Sequence, residues 1–273
     1  EGESPYYYQY MKYDDHSLLA PPSAYAERMW ELRAGNTLFI GLNTNIVSAA
    51  GALQKALLDG RLQKAEQDPA IDFVFIFFHH LPWSELWVEG VTNDAGTNFI
   101  RRELFPVIRK YTKVQQLTYG HTNAFERGTV ESPMPDGDFR IVCAGGGGGA
   151  TDNWGEFQNI DHPFIHVAYD HYFFQILEID VPNHSFEISM YSLGNQFKSR
   201  EAQLMDRWYR KVSQHGPDTP VIETPIMQES ALVLKSSPFS GPDSLMSVQI
   251  QIAEGAEFSS PKIDTLVHWR NIY

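Results

Sequence analysis

Two apolar runs in this chain stop abruptly at histidine. Ile71-Asp72-Phe73-Val74-Phe75-Ile76-Phe77-Phe78 leads into His79-His80-Leu81-Pro82-Trp83, and a later run closes on Tyr119-Gly120-His121-Thr122-Asn123-Ala124-Phe125-Glu126-Arg127. Aromatic and β-branched residues with almost no polar interruption read as strands buried on both faces. In open α/β sheets, ligands and metals gather just beyond the carboxyl ends of such strands. Two imidazoles delivered to two such ends would converge on one site, and imidazole nitrogen is a common ligand for zinc and iron.

The elements that must position them follow from periodicity. Residues 37–43, 72–78, 114–119 and 139–144 read as buried strands. Residues 51–67 place Leu53, Leu57, Leu58, Leu62 and Ala65 at helical spacing, with Gly60 as a weak point. Residues 98–111 put Ile100, Leu104, Val107, Ile108 and Tyr111 on one helical face, where Pro106 predicts a kink. Together these form a βαβ-like series, preceded by an irregular lead-in over residues 1–34 with one short strand around Tyr6–Tyr13. From Tyr172 the period becomes two: Phe173, Gln175, Leu177, Ile179 and Val181 alternate with Phe174, Ile176, Glu178 and Asp180. The turn Pro182-Asn183-His184 then reverses the chain into Phe186, Ile188 and Met190, an antiparallel hairpin. The charged piece Ser199–Val212 reads as a helix. Three regions follow: a main domain over 1–212, a Pro-rich linker over 213–228, and a β module over 229–273.

The ordered set of strand-end motifs resembles the C-terminal half of the calcineurin-like metallophosphoesterases, in particular the purple acid phosphatase branch. There a strand ends in His followed by His or Ser and then Pro-Pro or Pro-Trp, and a later strand ends in Gly-His-x-His-x-Tyr-Glu-Arg. A third strand runs into a glycine cluster, as Ile141-Val142-Cys143-Ala144-Gly145-Gly146-Gly147-Gly148-Gly149-Ala150 does here, and Gly35 to Thr44 looks like the strand before them. The likeness extends over residues 5–195. It implies an α/β fold of two mixed β-sheets packed as a sandwich flanked by helices, with a short C-terminal β segment resembling the first strands of a fibronectin-type or Ig-like module. It also implies hydrolysis of a phosphate ester by metal-activated hydroxide. His79 and His121 would be ligands of iron, zinc or manganese. Asn123 would be a weak ligand or a neighbour of the ligands, and His80 a phosphate contact or leaving-group acid.

The departures are as informative. The family's Asp-x-His, Gly-Asp and Gly-Asn-His-Asp/Glu motifs are missing in usable form. Asp14-Asp15-His16 lies in a polar, aromatic-flecked segment, Gly35-Asn36 and Gly194-Asn195 lack the following His, and Gly137-Asp138 belongs to the turn sequence Met134-Pro135-Asp136-Gly137. Asn123 replaces the second His of Gly-His-x-His, and its amide oxygen is a weaker partner for zinc or iron. Two multivalent cations a few ångströms apart repel strongly, and anionic ligands must offset that repulsion. His79, His121 and Asn123 carry no negative charge. This polypeptide alone is therefore expected to hold no dimetal centre. The remaining ligands are expected from an N-terminal fragment, the chain being cut at both ends, or the site has been abandoned. In the second case the chain would be a non-catalytic extracellular surface or assembly protein, with other chains as partners.

Composition bounds both readings. The 273 residues are 42% hydrophobic and 13% aromatic, enough for one substantial core plus a small appendage. Net charge −13 argues against nucleic-acid binding, which needs clustered cations. No stretch reaches the roughly 18 apolar residues of a membrane span. A start at Glu1 suits a processed chain, and the acidity suits a secreted, periplasmic or cell-surface location. The single cysteine, Cys143, reads as a buried structural thiol. The glycine run is no phosphate-binding loop, since no Gly-Lys-Ser/Thr follows it; it lets backbone pass close to a neighbouring loop. Glu126 and Arg127 read as a structural ion pair or as a clasp on nearby backbone. Trp83 and Trp87 are candidates to line a cleft. His162, His166 and His171 cluster in sequence without an accompanying carboxylate motif.

Overall fold

In the computed structural model the described residues are 29–45, 47, 49–134, 137–212, 218–241, 247–255, 257 and 260–268. The expected strand around Tyr6–Tyr13, the Asp14-Asp15-His16 segment, and Phe258, Ser259 and Trp269 lie outside them. The described residues form a mixed α/β structure with several sheets and few helices. They fall into two compact units, one within 1–176 and 189–206 and the other within 177–188 and 207–273.

The first unit is built on a seven-stranded sheet in the order β1-β2-β3-β4-β6-β5-β7. Its strands are β1 (Trp30–Ala34), β2 (Thr37–Gly41), β3 (Phe73–Phe77), β4 (Val114–Tyr119), β5 (Phe125–Val130), β6 (Phe139–Ala144) and β7 (Ile165–Tyr169). The pairs β2–β3, β3–β4 and β4–β6 are parallel, whereas β1–β2, β5–β6 and β5–β7 are antiparallel. All four expected buried strands form. β1, β5 and β7 are additions: β1 turns back on β2 at Gly35, whose φ of 59° suits glycine.

One face of this sheet is covered by α1 (Ala49–Gln67) and by a helical stretch made of α2 (Ala95–Phe99), a π-helical Ile100–Leu104 and α3 (Phe105–Ile108). Leu58, Leu62, Ala65, Ile100, Leu104, Val107 and Ile108 are buried there with Leu38, Ile40, Val74, Ile76 and Leu117. Pro106 has no N–H to give its own i−4 carbonyl, and the helix meets it with a widened π turn.

The other face carries a second cluster: Phe125 and Val142 of the large sheet pack on Phe173 and Met190. Those two belong to a three-stranded sheet in the order β10-β9-β8, made of β8 (Tyr172–Asp180), β9 (Ser185–Gly194) and β10 (Ser199–Lys211). Links as short as 181–184 and 195–198 join only antiparallel neighbours. Of the two sheets, then, only the larger is mixed. Along β8 the alternation is as expected, with Phe173, Gln175, Leu177 and Ile179 more buried than Phe174, Ile176, Glu178 and Asp180. At the turn, His184 takes a φ of 52° and Asp180 Oδ1 accepts the Asn183 N–H at 3.1 Å.

β10 corrects the expected helix at Ser199–Val212. Its buried positions, Asp206 and Trp208, are two apart. One of them is a charged residue whose partner is remote in sequence, so the period-two signal was hidden.

In the second unit, β11 (Ile226–Gln228) pairs with β12 (Ala231–Val233), and β13 (Ser247–Ile252) pairs with β14 (Ile263–His268), both antiparallel. These are separate two-stranded sheets. The seven strands of an Ig-like sandwich are not found among the described residues.

Candidate functional site

The site forms where four parallel strands end side by side. Past the strands proper, the ladder continues: Leu42 N–H donates to Phe77 O at 2.8 Å, Phe78 N–H to Thr118 O at 3.1 Å, and Gly120 N–H to His79 O at 3.0 Å. That register sets His79 and His121 on adjacent loops. His79 Nε2 lies 3.1 Å from His121 Nδ1. The rings of His79, His80 and His121 form a triangle with centroid separations of 5.0, 5.0 and 5.2 Å. His79 is exposed, His121 half-buried and His80 buried. His121 has φ 78°, in the left-handed region that a side chain seldom adopts. The convergence of residues 79 and 121 expected from sequence is present.

His80 is held from two sides. Thr44 Oγ1 accepts the His80 backbone N–H at 3.2 Å and pairs with His80 Nδ1 at 2.8 Å. A hydroxyl has one proton and two lone pairs, so Thr44 Oγ1 can accept that amide and still serve Nδ1 in either ring tautomer. Asp94 Oδ2 stands 4.0 Å from Nε2. Asp94 also caps α2, accepting the Thr97 N–H at 2.7 Å. Burial alone would raise the Asp94 carboxyl; the Thr97 amide, His80 and His121 outweigh it and leave it below the ordinary carboxylate value. A Cβ on Gly96 would sit 2.4 Å from His80 Nδ1, so only glycine leaves room for this ring.

Asn123 is bound through its backbone: its N–H donates to Asp152 Oδ2 at 2.8 Å and its carbonyl accepts the Asp152 N–H at 3.1 Å. Its side-chain amide lies against Gly149, and among the described residues it makes no hydrogen bond to His79 or His121. Burial raises the Asp152 carboxyl, an effect opposed by the Asn123 amide and by His121. The glycine run closes over this loop. A Cβ on Gly145 would fall 1.7 Å from Thr122 O, the close backbone passage expected of this run. Cys143 is buried and donates to Thr122 O at 3.2 Å, a structural thiol that burial pushes well above its usual range.

Behind the histidines, Glu126 acts as a clasp on backbone rather than as a partner of Arg127. Its Oε1 accepts Ser84 Oγ at 2.9 Å and the N–H groups of Glu85 and Leu86 at 3.0 and 3.1 Å. Burial pushes its carboxyl up to about 7 against those three donors, and Glu85 adds to the rise. Arg127 instead pairs with Asp206 through two contacts, at 2.5 and 3.0 Å, with both side chains buried. The tryptophans separate. Trp83 packs on Phe105 and Phe164 beneath Arg101, whereas the Trp87 ring lies 5.1 Å from His121. His162, His166 and His171 each have their own surroundings: Phe164, Thr129 Oγ1, and Ser192 Oγ with Arg200, respectively.

Thr44, Ser84, Asp94 and Asp152 escaped the sequence reading. Only Asp94 carried a local signal, as the capping residue ahead of a helix. The others are set by packing between loops remote in sequence.

His79 and His121 stand at hydrogen-bond distance and offer two neutral donors, fewer than a metal site needs. Metal–nitrogen bonds of about 2.0–2.1 Å meeting near 100° span roughly 3.1 Å, which is the separation of the two imidazole nitrogens. Among the described residues, however, no group of three His, Cys, Asp or Glu side chains is placed to hold a metal ion. A dimetal centre does not fit this set, because nothing in it offsets the repulsion of two cations.

No protein-family model and no curated protein matches the chain. Solved structures do. A purple acid phosphatase from yellow lupin seeds superposes with a TM-score of 0.55 at 16% identity, covering 70% of this chain and 34% of its own. PhoD gives 0.47 at 13%, covering 77% and 48%, and a dimetal phosphatase from Danio rerio gives 0.33 at 14%, covering 68% and 60%. The lupin match shows a metallophosphoesterase-like fold. The chain spans about a third of the length of that phosphatase.

Proposed function

We propose that this chain carries the histidine-bearing part of a phosphoesterase site, in which His79 and His121 hold one metal ion. The observation that carries this reading is the 3.1 Å approach of His79 Nε2 and His121 Nδ1 at the ends of adjacent parallel strands. The phosphatase-like fold supports it. When bound, iron, zinc or manganese supplies a Lewis acid and lowers the pKa of a coordinated water to near 7. Anionic ligands are required in addition, from outside the described set. His80, with Nδ1 engaged by Thr44, leaves Nε2 for a phosphate oxygen or a leaving group. Trp87 covers one side of His121 and excludes water there. Asn123 orients the loop through Asp152 rather than binding the ion.

The test is elemental analysis of the purified chain after exposure to zinc, iron or manganese, together with turnover of a simple aryl phosphate. His79→Ala and His121→Ala should each lose the bound metal and any turnover while keeping the far-UV circular dichroism of the parent. Turnover retained in folded His121→Ala removes the proposed role.

A further inference from the structure

We propose that Glu126 is the positioning residue of the histidine cluster: its carboxyl clamps the Ser84–Trp87 segment to the strand end bearing His121, and so seats the Trp87 ring against the His121 imidazole. The connection is continuous. Glu126 is 1% exposed, and its Oε1 takes three hydrogen bonds from Ser84, Glu85 and Leu86. Ser84 Oγ, having donated to Glu126, accepts the Trp87 N–H at 3.0 Å and the Thr122 hydroxyl at 3.1 Å. A hydroxyl has one proton and two lone pairs, so Ser84 is saturated by these bonds and has a single orientation. Thr122 follows His121 directly and is fully buried. One buried carboxyl therefore ties both loops of the site together, with Trp87 at 5.1 Å from His121 as the outcome.

A second observation points beyond loop anchoring. Glu126 Oε2 is buried without a hydrogen-bond partner among the described residues. Buried polar atoms are rarely left so, and the exceptions call for an explanation. The segment also has a separate tether, since Asn159 Nδ2 donates to the carbonyls of Glu85 and Leu86 at 3.3 and 3.0 Å. Glu126 is thus not needed merely to keep the segment attached. What it adds is the orientation of Ser84 and, through it, of Trp87.

The test reads the ring current of Trp87 at His121, by NMR of the full chain carrying labelled histidine, without metal or substrate. Trp87→Ala defines the signal with the ring absent. Glu126→Ala and Ser84→Ala should each move the His121 ring signals most of the way to that reference. Glu126→Gln, whose carbonyl oxygen can take the same three bonds, should leave them at the parent position. Unmoved signals in folded Glu126→Ala or Ser84→Ala, or a Gln variant that behaves as Ala, overturn the proposal. Should the alanine variants fail to fold, amide exchange in the parent protein decides: Glu85 and Leu86 amides must exchange as slowly as those of β4, and rapid exchange overturns it. Because neither readout involves turnover, a failed metal analysis would leave this inference standing.

Discussion

At φ 78°, His121 pays for its aim with backbone strain. Non-glycine residues in sparsely populated regions cost about 1–3 kcal/mol and persist where surrounding structure over-determines them. Here Cys143 and Gly145 crowd the Thr122 carbonyl, and Gly120 is bonded to His79, so the loop has no looser alternative. His121→Gly should therefore raise the unfolding free energy by about 1 kcal/mol while removing metal binding, since glycine reaches this region at little cost; urea denaturation measures the gain. Glu126 makes a second residue-scale prediction. Its carboxyl shifts from 4.5 to about 7, chiefly by burial, so between those values the folded chain holds a proton that the unfolded chain releases. Stability from this group is complete below about pH 4.5 and is lost as pH rises through about 7, a difference of about 3 kcal/mol. Urea midpoints taken from pH 4.5 to 8 should fall more steeply for the parent than for Glu126→Gln. Parallel curves would show that the buried carboxyl does not titrate there.

At the scale of elements, the site depends on strand ends whose loops interlock. β4 and β6 bring the His121 loop and the glycine run so close that a methyl group on Gly145 would overlap Thr122 O. Gly145→Ala should cost about 1–3 kcal/mol, as forced overpacking does, and should shift the His121 ring signals because backbone, not a flexible side chain, has to move. Calorimetry and the same NMR experiment check both parts. The parallel strands were legible because each buries both faces and so reads as an unbroken apolar run. β10 was not, because the buried Asp206 broke the alternation that would have marked a strand. Nor was β5, where Glu126 and Arg127 are buried in polar bonds that become visible only once their partners are placed.

For the first unit as a whole, Arg127 and Asp206 are the critical pair, joining the large sheet to β10 at a distance of 79 residues. Removing one partner of such a buried pair takes the two-contact ion pair from the other charge. Asp206→Ala should cost about 3–5 kcal/mol, whereas Arg127→Met combined with Asp206→Leu should recover most of that loss, since apolar replacement spares both desolvation costs. Chemical unfolding of the single and double variants decides; additive losses would show that the pair is dispensable. The amino-acid sequence by itself determined the parallel strands, the helices against them, the β8–β9 hairpin, and the two histidines at neighbouring strand ends, because hydrophobic period and turn chemistry are local properties. Only the tertiary structure decided that Nε2 and Nδ1 approach to 3.1 Å, that Asn123 turns to Gly149, and that Glu126 serves the loop of Trp87. Those are contacts between segments dozens of positions apart, and the energy that selects them arises when the sheet brings the segments together.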